Sequence, residues 1–403
     1  MKYIKFFVFV AVLTLVSFYS MREGDNSLYG SNTPFSDKQY SVTDTIDLQG
    51  KTWSLPQNSR LIIKGGLVKN GCLYGNNTTL IYNGVVFDDI RIEGQWIVPE
   101  IKSSMFTDYE KVNSIKNLFA LSNPSVRNHI LIDEGCYNVA AMTPSDQCIV
   151  VNGNTHVVIN GDIALLPNDF SSYSIMCLKG DNITISGRGS IAGDKNNHLG
   201  NDGEWGMGIY VLGGHSIQIK NVCVKDCWGD CIYVTRDANN VLIKGCHIEN
   251  GRRQGISIIS ADSVYIKNCH ISKVGGTAPG YAIDVEPNKG DKVNYILIEK
   301  VKVLECDGGF MSYRFAENTS INHVEIKNCT LSNIRRTPLG FFKTCSVSVI
   351  GNKIDTYSSE KALVCDQVDY IKIKRNKVEG KRLRNNNRAK EIVSIERNIL
   401  TNF

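Results

Sequence analysis

The chain has 403 residues, with 45 Lys and Arg against 40 Asp and Glu, a formal net charge of +5. So mild a balance does not demand a polyanionic partner, and 42% hydrophobic against 21% charged residues excludes a disordered chain. The 35 glycines favour β structure with many turns over a helical architecture.

In chain order, Met1-Lys2-Tyr3-Ile4-Lys5 and the apolar run from Phe6 to about Phe18 have the pattern of a secretory signal peptide, assigned to residues 1–22. The run is too short for a membrane span. The mature chain is therefore expected to be secreted, periplasmic or at the cell surface, without stable membrane insertion. Residues 23–40 are polar and read as a linker. From 41 to 106 short apolar runs alternate with NG, GNN and GG turns, an N-terminal β region. Thr107-Asp108-Tyr109-Glu110 is a capping-box pattern that predicts a helix to about Leu121, placed to cap a stack of strands.

From 107 to 380 the sequence repeats. GEWGMGIYV, WGDCIYV, RRQGISI and YAIDVEP carry Ile209, Ile232, Ile256 and Ile283 at spacings of 23, 24 and 27 residues. Between them SIQIKNV, NVLIKGC and SVYIKNC keep Ile219, Ile243 and Ile266 in register. Short β-branched runs repeating on this scale predict an all-β fold, a single-stranded right-handed parallel β-helix. Residues sharing a column then lie about 4.8 Å apart. The isoleucines point inward, and Tyr210, Tyr233, Ser257 and Asp284 outward. Gly208, Cys231, Gly255 and Ala282 form a column of small residues, which suits either the floor of a groove or a tight corner. Residues 381–403 read as a basic C-terminal cap or tail, and no motif accompanies the charge, so no nucleic-acid partner is expected.

Thirteen cysteines include Cys246, Cys269 and Cys329 at one position of the repeat, which predicts a column of reduced, buried thiols. No CxxC pair, HExxH, GxSxG or phosphate-binding loop occurs, and His198 and His215 stand alone in the sequence.

These repeats resemble the pectin-active right-handed β-helix proteins, the pectate-lyase superfamily and the polygalacturonases (family 28 glycoside hydrolases). SGRGSIAGD at 186–194 is similar to the polygalacturonase segment that approaches the active site. In that family the repeats carry N-T-D, D-D, G-H-G and R-I-K. Here Met207 stands for the first aspartate, Gly229 and Asp230 for the paired aspartates, Gln254 for the histidine, and Asp284 and Glu286 for the Arg and Lys. The resemblance implies the fold, a polysaccharide substrate and a monomer, with Asp230 the one acid retained.

The chain supplies its own cluster. Asp230, Glu204 and Arg253 are the catalytic candidates. Trp205, Trp228, Tyr210, Tyr233, Arg252, Gln254, Asp284, Glu286 and Asp194 are the candidates for substrate binding. Rung spacing puts Arg253 roughly 5–6 Å and Glu204 roughly 11 Å from Asp230, Cα to Cα, but Asp284 roughly 14 Å away. Three functions fit. A hydrolase would use Asp230 and Glu204 as acid and base, without a cofactor. A lyase or epimerase on a uronate glycan would use Arg253 or Tyr281 as base, with calcium at Asp284 and Glu286. The third is a glycan-binding or surface-structural protein without catalysis.

Overall fold

A computed structural model describes residues 38–107, 110–355 and 361–379, together with the backbone of 391–396 and 399–401. The signal peptide, most of the linker and residues 380–390 of the basic tail lie outside the described residues. The chain divides into two compact units, one of residues up to 109 with 117–129, the other of 110–116 with 130 onward.

In the first unit Gln39–Val42, Arg60–Ile63, Val68–Tyr82 and Phe87–Ile97 pair in parallel around Leu61, Leu73, Leu80 and Trp96, all fully buried. The helix expected from Thr107 is shorter than the pattern implies and spans Lys116–Ala120. Asn113 stops it from starting earlier. Its backbone is left-handed (φ 64°), its N–H donates to Asn138 O (2.9 Å), and its side-chain oxygen accepts from Ala140 N (3.0 Å). The helix is tied within the first unit by Asn117, whose amide holds Ile90 O (2.8 Å) and Ile92 N (3.1 Å).

The second unit is the solenoid. One sheet, here the groove sheet, stacks nine strands in strict chain order, including Ser172–Lys179, Trp205–Leu212, Ile232–Thr235, Ile256–Ile258, Tyr281–Val285 and Gly308–Tyr313. A second sheet contains His215–Lys220, Asn239–Lys244 and Ala261–Lys267, and a third contains Cys223–Lys225, His247–Glu249 and His270–Ser272. Every pairing is parallel and joins one rung to the next. The expected columns are observed residue for residue: Ile209↔Ile232↔Ile256↔Ile283 and Ile219↔Ile243↔Ile266, all at 0% exposure. Each such isoleucine contributes about 1.5–3 kcal/mol by burial. The stack also runs past the expected end at 380. Glu391–Glu396 pairs in parallel with Tyr370–Lys374, and Ile399–Thr401 with Lys377–Glu379, adding a further rung where a tail was expected.

Corners between the second and third sheets use one left-handed residue each. Asn221, Gly245, Asn268, Lys300, Asn328, Gly351 and Arg375 hold this place, with φ between 53° and 69°. Asparagine and glycine tolerate that conformation best, which is why the repeat reads KN or KG there. The small column belongs to another corner and not to a groove floor. A Cβ on Gly208 would meet Val224 Cγ1 at 2.6 Å and Cys227 Sγ at 2.8 Å, and one on Gly255 would meet Ile271 Cγ2 at 2.9 Å. Those are interior atoms of the third sheet, so the small residues let the chain turn into the groove sheet.

All described cysteines are free, and Cys246, Cys269 and Cys329 are buried as expected. Their thiols donate to carbonyls, Cys269 Sγ lying 3.4 Å from Lys267 O and 3.6 Å from Ile243 O. Val222 and Val301 occupy the same place in other rungs, and further on an asparagine ladder takes over. Asn352 Oδ1 accepts from Cys329 N (2.8 Å), and Asn376 Oδ1 from Asn352 N (2.8 Å).

Two stability measurements check this account. Cys269→Val should cost less than about 1.5 kcal/mol, a near-isosteric change to the residue that neighbouring rungs use. Asn268→Val should cost about 1–3 kcal/mol because a β-branched residue is strained in the left-handed region, whereas Asn268→Gly should be near neutral. Equal denaturant midpoints for the two Asn268 variants would remove the corner argument.

Candidate active site

Outward residues of the groove sheet form one column, Cys177, Tyr210, Tyr233, Ser257, Asp284 and Met311, in direct register. The Tyr210 and Tyr233 rings meet edge to face at 5.5 Å. Beside them, where the chain enters each strand, stand Met207, Asp230, Gln254 and Tyr281. Strand alternation puts Glu286 on the same face as Asp284, about 6.6 Å further along.

Arg253 is the centre of the cluster. Its Nη1 donates to Asp230 Oδ2 (3.0 Å), its Nε lies 3.3 Å from Glu204 Oε2, and only 14% of its side chain is exposed. Asp284 and Glu286 also act on it electrostatically, so four carboxylates surround one guanidinium. Burial works against the Arg253 charge, but these acids hold its pKa above the ordinary value. Ser257 Oγ donates to the same Asp230 oxygen (2.7 Å) and stands in register with Asp284. The two aspartates that rung counting separates by roughly 14 Å nevertheless feel each other's charge.

Burial divides the acids. Asp230 is 0% exposed and Asp284 3%, while Glu286 is half-buried and the Glu204 side chain 43% exposed. Burial pushes the Asp230 carboxyl up, against the pull of Arg253 and Ser257. Asp284 is raised furthest, by burial first and then by the charge of Glu286, with Arg253 opposing. Glu286 is raised by burial, and by Asp230 and Glu204, again against Arg253. Gln254 fixes how Asp284 is presented. Its Nε2 donates to Asp284 Oδ2 (2.6 Å), and its Oε1 accepts from Tyr281 N (2.6 Å). Asp230 Oδ1 makes no hydrogen bond among the described residues.

Several expected substrate contacts have other duties. Gln254 is 0% exposed and serves Asp284. Asp194 does not face the groove. It accepts from the Tyr173 hydroxyl, from Asn168 N (3.1 Å) and Nδ2 (2.9 Å), and pairs with His198 Nδ1 (2.8 Å). His198, isolated in sequence, stacks on Trp228 with centroids 3.9 Å apart, and Arg252 Cζ lies 3.8 Å over the same indole. Trp228 is therefore sandwiched and offers a ligand only its edge. Arg252 is held by Gly203 O (2.6 Å) and Trp228 O (3.3 Å). Trp205 is 49% exposed, and Tyr210 and Tyr233 are half-buried on the outward face. The proposed elimination bases do not suit that role. The Arg253 proton is held more tightly than usual, and burial pushes the Tyr281 phenol up. Among the described residues no group of three or more His, Cys, Asp or Glu is arranged to hold a metal ion, and the cation among these carboxylates is Arg253 itself. No described helix is long and apolar enough to cross a membrane.

Residues 128–293 match the family model of the right handed beta helix region. With the stacked parallel sheets, this defines the chain as a right-handed parallel β-helix protein. Among curated proteins it is similar to the uncharacterized protein YclG of Bacillus subtilis, at 32% identity over 169 residues, 36% of this chain and 29% of that protein. It is also similar to the SPbeta prophage-derived uncharacterized protein YorA of the same species, at 26% identity over 269 residues, 59% and 44% of the two chains. The chain thus spans less than half the length of these relatives. Among solved structures, the catalytic domain of a GH87 α-1,3-glucanase in complex with tetrasaccharides aligns at a TM-score of 0.47 and 11% identity, over 93% of this chain and 68% of that one.

If Arg253 neutralises this cluster, Arg253→Met should destabilise the fold by about 3–5 kcal/mol near pH 8, since it strands buried charge. These carboxyls have folded pKa values above their unfolded ones, so they cost stability as pH rises from the ordinary carboxylate range. Removing Arg253 raises them further. The deficit should therefore shrink towards pH 5, and a thermal-melt deficit equal at both pH values would contradict the assignment.

Proposed function

We propose that this chain is an exported enzyme that hydrolyses glycosidic bonds of a polysaccharide lying in the groove, with Asp284 and Glu286 as the working acid and base. The observation that carries this reading is Asp284, a buried carboxyl raised well above its usual range and oriented by a dedicated glutamine. A carboxyl raised in this way holds its proton to higher pH than an ordinary acid and can give it to the leaving glycosidic oxygen. Glu286 is less strongly raised and more exposed, so it takes the proton of the attacking water. The charge of Glu286 acts on Asp284, so the two carboxyls share one site. Asp230 and Glu204, the pair that sequence spacing favours, are engaged by Arg253 and set the charge of the site. Trp205, Tyr210 and Tyr233 supply flat apolar faces for sugar rings.

The groove also speaks about the sugar. With Asp284 protonated, Asp230, Glu204 and Glu286 still outnumber Arg253 and would repel a uronate carboxylate, which suits a neutral or amino-bearing glycan better than a polyuronate. That, with the tightly held protons of Arg253 and Tyr281, weighs against elimination at a uronate.

Reducing-end release from a panel of neutral, amino-bearing and uronate polysaccharides tests the proposal. Asp284→Asn and Glu286→Gln should each lower turnover about 100-fold or more on the cleaved glycan. Because Asp284 costs stability when ionised, Asp284→Asn should melt no lower than the parent near pH 8. Binding without cleavage of any glycan would make the protein a lectin-like binder, and full activity of Asp284→Asn would remove that residue from the chemistry.

A further inference from the structure

We propose that the corner between the second and third sheets is a docking ridge for a linear acidic polysaccharide, separate from the groove. The last outward position of the second-sheet strands places Lys220, Lys244, Lys267, Lys327 and Lys374 in one register column, which also holds Glu299 and, beside Lys374, Glu396. The adjoining column of left-handed corner residues adds Lys300 and Arg375. On the other side, the first residues of the third-sheet strands add Lys302, Lys353 and Lys377, beside His247 and His270. Nearby carboxylates are already used. Glu299 pairs with Lys267 (3.4 Å), Glu325 with Lys327 (2.8 Å), and Glu379 with Lys377 (2.6 Å) and Lys353 (3.8 Å). Lys220, Lys244, Lys300, Lys302 and Arg375 have no carboxylate partner among the described residues.

Parallel stacking sets the backbones of Lys220, Lys244 and Lys267 about 4.8 Å apart from rung to rung, and like charges directly opposite one another cost stability unless an external counter-charge lies along the row. Seven rungs extend the row over about 29 Å. A flexible polymer with a negative charge every one or two sugars can follow it, releasing condensed counterions as it binds. A single-stranded nucleic acid is the poorer match, because the three columns contain no Trp, Tyr or Phe on which bases could stack. The net charge of the chain conceals this ridge, since acids elsewhere offset it.

The test uses the full chain with dextran sulfate as probe, titrated at stepped salt and compared with a poly-dT oligonucleotide of matched charge. Dextran sulfate should bind with an affinity that falls steeply as salt rises. Lys220→Glu/Lys244→Glu/Lys302→Glu should bind at least tenfold more weakly, with a shallower salt slope and an unchanged melting temperature. A triple variant that binds as well as the parent, or a parent that does not bind, overturns the ridge. Tighter binding of poly-dT than of dextran sulfate overturns the choice of partner in favour of a nucleic acid. None of the three lysines touches the groove cluster, so these outcomes are independent of the hydrolase reading.

Discussion

Everything in the solenoid follows from parallel register. Once strand Ile232–Thr235 pairs with Trp205–Leu212 at Ile209↔Ile232, every outward residue has a fixed neighbour one rung away. Left-handed corner residues enforce that register, because they let the chain change sheet within one or two residues and keep rungs the same size. Insertions are absorbed elsewhere. Residues 193–204 form an excursion between the third sheet and the groove sheet, and that excursion supplies His198 and Glu204.

Register explains why an acid can be buried at the centre of an open surface. Asp230 sits at a strand entry, where the backbone is already turning inward, and receives Ser257 from the next rung and Arg253 from the segment before it. None of the three residues is adjacent to another in sequence. Stacking converts their spacing of 23 to 27 residues into hydrogen-bond distance. The same geometry denies Asp284 a cation of its own, and that imbalance separates the protonation behaviour of Asp284 from that of an ordinary surface acid.

The inner columns were legible in the sequence because isoleucine and cysteine repeat with the rung. The site was legible only as a neighbourhood. Asp230 and Arg253 could be paired from spacing, but the Ser257–Asp230 hydrogen bond could not, since it depends on how two side chains of neighbouring rungs lean together. Gln254 read as a sugar contact because an amide beside a groove suits either role, and only its two hydrogen bonds distinguish them. Asp194 and His198 belong to the non-repeating excursion, where no column fixes the partner, and His198 stacks from there on Trp228. Small residues at 208, 231, 255 and 282 suited floor and corner alike, and the side chains beneath them decide for the corner. The lysine ridge is written in the same repeats, IKNV, IKGC and IKNC, beside the isoleucine and cysteine of the inner columns.

One side chain in the excursion gives the stack a mechanical property. Lys195 Nζ donates to Asn250 Oδ1 (2.8 Å) and to Gly275 O (3.2 Å), so a residue that follows strand Ser190–Ala192 is fastened to segments two and three rungs later. Asn250 in turn holds Asp226 (2.6 Å), on the rung between. A ladder of parallel strands pulled from its ends peels rung by rung, each step breaking few bonds at a time. Here the rungs that carry the carboxylate cluster are cross-stitched, so under tension they must yield together in shear.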